Sequence, residues 1–85
     1  MADEQEIGSV IHYYNKISVA VIRLTSGGLK VGDTIHIQGN STDFIQEVES
    51  MQIEHQGVSK AKKADEFGLK VDKSVHEGDR VYLVA

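Results

Sequence analysis

Leu29-Lys30-Val31-Gly32-Asp33-Thr34-Ile35 and Val75-His76-Glu77-Gly78-Asp79-Arg80-Val81 are two copies of one turn. Each sets an apolar residue, a short polar approach and Gly-Asp ahead of a strand start. Glycine adopts positive φ without steric clash, and aspartate can hydrogen-bond its own backbone two residues on, so Gly-Asp between apolar runs marks a tight corner. Gly32, Asp33, Gly78 and Asp79 are therefore structural turn residues. Two such corners predict a small β-barrel whose strands are re-entered through similar turns.

Working outward, Asp33 to Gln38 alternates cleanly, with Ile35 and Ile37 inward and Thr34, His36 and Gln38 outward. Glu6 to Tyr14 and Ile17 to Thr25 read as a hairpin around Asn15-Lys16. Ala20, Ile22 and Leu24 share its inner face, and Val19 and Val21 on the other face imply partial cover. Phe67, Leu69 and Val71 point one way, while Gly68 opposite them suggests close approach by another backbone. The stretch from Thr42 to His55 fits two patterns. Phe44, Ile45, Val48, Met51 and Gln52 make a helical stripe, with Asp43 and Gln46 as a capping box. A strand fits equally if one extra residue near Glu49-Ser50 shifts the alternation, as a β-bulge does. Gln56 to Ala64 lacks alternation and reads as a loop, and Arg80 to Val84 is the closing strand. The predicted core is Val10, Ala20, Ile22, Leu24, Ile35, Ile37, Val48, Ile53, Leu69, Val71 and Val81.

The chain has 85 residues, one domain's worth, with no apolar run near the ~20 residues of a membrane span. The polar start, Met1 to Glu6, is unlike a secretory signal, and cysteine is absent. A cytoplasmic monomer is the expectation. A formal net charge of −4 disfavours charge-driven nucleic-acid binding. Residues 1–58 carry eight acidic and three basic side chains, a net of −5, whereas residues 59–85 carry five and six, a net of +1. The basic excess gathers at Lys60, Lys62 and Lys63, the candidate contact for RNA or a protein partner.

Chemistry-bearing motifs are few. No Gly-x-x-x-x-Gly-Lys-Ser/Thr loop is present, so no nucleotide site is expected. His12, His36, His55 and His76 lack the short local spacing of zinc ligands, and no serine lies in a Gly-x-Ser-x-Gly elbow. Catalytic residues, cofactor and metal are all expected to be none. Tyr13 and Tyr14 are adjacent, so one points away from the core, either under a loop or as a stacking platform.

Gly8-Ser9-Val10, Val19-Ala20-Val21, Leu29 to Ile35, Val48 to Ile53 and Phe67 to Val71 together resemble the second domain of translational GTPases such as elongation factor Tu and the bacterial initiation factor. That resemblance favours a strand at Val48 to Ile53. It implies an antiparallel Greek-key barrel of about six strands. The barrel would span residues 1–85, residues 1–5 forming a disordered tail, as a non-catalytic binding module associated with translation or ribosomal RNA. One departure stands out. Where that family has Ala-Gly-Asp before its fifth strand, this chain has Lys63-Ala64-Asp65, so the turn has either negative φ or strain. Gly32-Asp33-Thr34-Ile35 and Glu49-Ser50-Met51-Gln52-Ile53 are similar to segments of the small C-terminal barrel of collagenase-like peptidases. The alternative that follows is a protein-docking accessory barrel.

Overall fold

Apolar residues at every second position dictate extended backbone, and strands are what the chain forms. The computed structural model describes residues 4–54 and 56–84. Among these run β1 (Glu4–Tyr14), β2 (Val19–Leu24), β3 (Gly28–Lys30), β4 (Thr34–Gln38), β5 (Asp43–Glu47), β6 (Met51–Ile53), β7 (Gln56–Val58), β8 (Lys60–Lys62), β9 (Glu66–Lys70) and β10 (Arg80–Val84). Eight lie in one antiparallel sheet of order β5-β4-β10-β1-β2-β9-β6-β7, while β3 and β8 pair as a separate ribbon. One apolar cluster collects the inward residues of all these pieces, so the sheet curls to enclose it with a single face. Ten of the eleven predicted core residues are buried; Ile53 is half-buried against the cluster.

The long central strand β1 makes the curling possible. Its register slips between Glu6 and Gly8 against β10, and again between Val10 and His12 against β2. Such bulges bend a strand and increase its twist. Gly8 sits at the first slip, where any Cβ would collide with the Arg23 carbonyl oxygen.

Among the described residues the corners number three, not two. In Lys30–Asp33, Lys62–Asp65 and His76–Asp79 the aspartate carboxylate accepts the N–H three residues earlier, at 3.0, 3.0 and 2.8 Å. The aspartate N–H donates back to the carbonyl of that same residue at 3.1, 2.9 and 3.1 Å. The third position has positive φ throughout: 99° at Gly32, 77° at Ala64 and 92° at Gly78. Each corner also exchanges two backbone hydrogen bonds with one buried residue, Val48, Leu24 and Val10 respectively. A buried Leu29, Ala61 or Val75 precedes each corner, and β4, β9 or β10 follows. The alternatives posed for Lys63-Ala64-Asp65 thus resolve to strain, because Ala64 is left-handed. The aspartates bond backward by three residues rather than forward by two.

Other expectations need correction. The sheet is all-β and antiparallel, but among the described residues no ladder joins its edges β5 and β7, so it is not a closed barrel, and the strands number ten rather than about six. The miscount arises because β3, β7 and β8 are three residues each, too short for alternation to reveal, and because one expected strand is two, β5 and β6. From Asp43 to Ile53 the chain forms strands and no helix, yet it breaks at Val48 to Ser50 into β5 and β6 rather than bulging; His55 lies outside the described residues. The parity shift is real: Phe44, Gln46 and Val48 are buried, then Met51. Gln46 is no helix cap. Its side chain donates to the Lys70 carbonyl (3.0 Å) and accepts from the Asp72 N–H (2.9 Å), tying edge strand β5 to the end of β9. The first hairpin turns through Asn15 to Ser18, with Ser18 at φ 56°, rather than through Asn15-Lys16 alone. Glu4 and Gln5, read as tail, pair with Val84 and Leu83; residues 1–3 lie outside the described residues.

Candidate functional site

The third corner and the β4–β5 turn together wall an open cleft of about 730 Å³, lined by Gly39, Ser41, His76, Asp79 and Tyr82 among others. Asp79 is buried and its carboxylate packs against Gly39, filling the place a Cβ there would take. Ser41, His76 and Asp79 share this cleft, which invites a test for nucleophilic chemistry. The Asp79 carboxylate oxygen that accepts the His76 backbone N–H lies 3.9 Å from the imidazole Nδ1, beyond hydrogen-bond reach. That Nδ1 instead lies 3.2 Å from the Thr42 hydroxyl. The carboxylate orients the corner and not the imidazole, so the triad geometry is missing.

The other histidines are held apart. His12 faces Glu77 at 3.3 Å on the exposed surface. His36, on the outer face of β4, presents Nδ1 to Glu4 at 2.8 Å and Nε2 to Asp43. Both ring nitrogens face carboxylates, and both can donate only as imidazolium. The hydrogen bond to Asp43, then that to Glu4, raises the His36 pKa above its usual value against the opposing effect of desolvation. The charged clip joins β1, β4 and β5; its contribution is complete below the unfolded pKa and lost as pH rises through the folded one. Because the carboxylates bind opposite nitrogens, the three groups do not converge on a point where a cation could sit. Among the described residues no group of three His, Asp or Glu side chains forms a metal site. His55 lies outside the described residues.

The lysine set divides. Lys60 and Lys62 project from the outer face of β8 with Ala61 buried between them, while Lys63 occupies the corner before Ala64. Lys60 stands directly across from Lys30 of β3, a like-charged pair. Thus what reads as a basic loop is an ordered two-stranded ribbon, with Lys30 added to it. Tyr13 packs against the core and Tyr14 is exposed, its ring edge-on to His12 at 4.4 Å.

No protein-family model matches the chain. It is 51% identical over 80 residues to an uncharacterized protease of Methanocaldococcus jannaschii, covering 93% of this chain and 19% of that protein. It is 36% identical over 77 residues to a collagenase of Porphyromonas gingivalis, covering 89% of this chain and 21% of the collagenase. The chain therefore spans about one fifth of the length of these relatives. Its fold is that of the C-terminal domain of a Geobacillus thermoleovorans protein assigned to the U32 peptidases, with a TM-score of 0.85, 18% identity and coverage of 91% of this chain and 96% of that one. These similarities overturn the translation-factor assignment and, with it, the ribosomal-RNA module. Corner turns and alternation are shared by many small antiparallel domains. The segments Gly32 to Ile35 and Glu49 to Ile53 pointed instead to the peptidases.

Proposed function

We propose that the chain is a non-catalytic accessory β-domain of the kind these peptidases carry, acting by docking to protein rather than by chemistry of its own. The observation that carries this reading is the 51% identity to a protease across 93% of the chain, confined to about a fifth of that protein's length. The His76–Asp79 geometry supports it as well, since the carboxylate serves a backbone turn and leaves the imidazole unoriented. Peptide hydrolysis belongs, on this reading, to the part of the relatives that the chain does not match.

The test is reconstitution. The matching 80 residues would be deleted from the Methanocaldococcus jannaschii protease, and casein and gelatin hydrolysis and thermal inactivation measured with and without the 85-residue chain. The chain alone should hydrolyse neither substrate, and its addition should restore activity or thermal resistance lost on deletion. Hydrolysis by the chain alone, abolished by a single His76 substitution, would overturn the reading.

A further inference from the structure

The sheet face opposite the core should be polar wherever it meets water, and Gln52 on β6 with Glu66 and Lys70 on β9 keep to that. On β2 it is not polar. Val19 and Val21 stand half-buried there, and Gly68 lies in one row between Val21 and Gln52, leaving a missing tooth in the middle strand. The result is a groove of about 340 Å³. At its end the first hairpin lifts Tyr14 and Ile17 out of the domain, 51% and 62% exposed. Single exposed apolar residues are ordinary, but a contiguous set beside an apolar groove marks an interaction surface.

Two further observations bear on the same place. Three non-glycine residues have positive φ among the described residues, and two of them, Ser18 and Glu54, lie in the turns on either side of the groove. Strained backbone of this kind persists where the surroundings hold it and clusters at functional surfaces. Glu54 and Glu66 stand on the rim; Glu54 makes no ion pair among the described residues, while Glu66 lies across from Arg23, and Lys70 lies across from Val19 on the same face. An apolar floor with an acidic rim complements a segment that presents a large apolar side chain beside a lysine or arginine. The volume lies at the low end of the ~300–1,000 Å³ of ligand sites, enough for one or two side chains.

We infer that this groove is where the domain docks, and that its occupant is an apolar–basic segment of the peptidase portion. The inference rests on the accessory-domain reading and names the surface it uses. Gly68 opens the groove, Ile17 and Tyr14 close over the incoming side chain, and Glu54 and Glu66 meet its basic neighbour.

The experiment is calorimetric titration of the 85-residue chain into the Methanocaldococcus jannaschii protease lacking the matching segment. Circular dichroism checks that both partners are folded. Ile17→Glu should weaken binding at least tenfold without altering the fold, since Ile17 is largely exposed. Gly68→Val, which fills the groove, should do the same, and Glu54→Lys with Glu66→Lys should weaken binding several-fold. If binding survives both groove substitutions and instead disappears when Lys60, Lys62 and Lys63 become Glu, docking runs through the β3–β8 ribbon; the groove assignment then falls and the accessory reading stands. Absence of any binding by the folded partners removes the accessory reading and the groove assignment together. Sedimentation showing a homodimer that Ile17→Glu dissociates would give the groove to a second copy and overturn the proposal.

Discussion

The corner at Lys62–Asp65 and the corner at His76–Asp79 make the same hydrogen bonds in the same order, yet one is built on Ala64 and the other on Gly78. Their φ values, 77° and 92°, differ little. What fixes the conformation is therefore not the freedom of glycine. It is the frame of bonds around the turn: the aspartate reaching back three residues, and the paired backbone bonds to a buried partner, Leu24 in one case and Val10 in the other. Glycine lowers the energy of the turn; it does not create it. The corners also differ in burial, since Asp79 is buried whereas Asp33 and Asp65 are half-exposed.

That difference in burial sets the largest expected effect. Asp79→Ala removes a charge-assisted hydrogen bond and leaves space against Gly39, so it should lower stability by about 3 kcal/mol. Asp79→Asn keeps an acceptor of the same shape and should recover most of the loss. Urea unfolding followed by circular dichroism measures both. A loss under 1 kcal/mol for Asp79→Ala would show that the backbone bonds to Val10 hold the corner unaided.

At the more exposed corners the same truncation should matter less. Asp33→Ala and Asp65→Ala each delete one capping-type bond to an N–H that water can reach, worth about 1 kcal/mol. Equal losses at all three aspartates would remove burial as the distinction and break the comparison.

How far the sequence reaches follows from the same corners. Gly-Asp at Gly32 and Gly78 is legible because glycine advertises a positive φ. The third corner is hidden, since Lys63-Ala64-Asp65 shows only as a departure from a family pattern. Strands β2, β4 and β9 are legible because five or six residues display an alternation; β7 and β8, at three residues each, cannot. Gln46 misleads for a different reason. A polar residue at a buried parity, between Phe44 and Val48, signals a side chain bonding to backbone, but the same spacing from Asp43 imitates a helix cap. Of the groove, Gly68 is visible as a place of close approach, although it is the Val19 side chain and not another backbone that comes nearest. Ile17 is misplaced inside a strand, because the turn is longer than the Asn15-Lys16 pair suggests. The docking surface depends on which strands are neighbours, and β9 beside β6 is a pairing that no local pattern encodes.

The smallest effect tests the comparison most directly. A left-handed conformation costs an L-residue roughly 1–2 kcal/mol. Glycine escapes that term but loses more chain entropy on folding, by about 0.4–1 kcal/mol. Ala64→Gly should therefore stabilise the domain, by about 0.5–1 kcal/mol on balance. Gly78→Ala should destabilise it by a similar amount. The reverse substitution is clean because a Cβ at Gly78 would meet no atom within 4 Å, so only the backbone conformation is being measured. The same holds at Gly32, which supplies a replicate. Opposite signs of nearly equal size at positions 64 and 78 are what a common frame requires. If Ala64→Gly is neutral or destabilising while Gly78→Ala is costly, the Ala64 side chain contributes something at its own corner, and the three turns are alike in their bonds but not in their energetics.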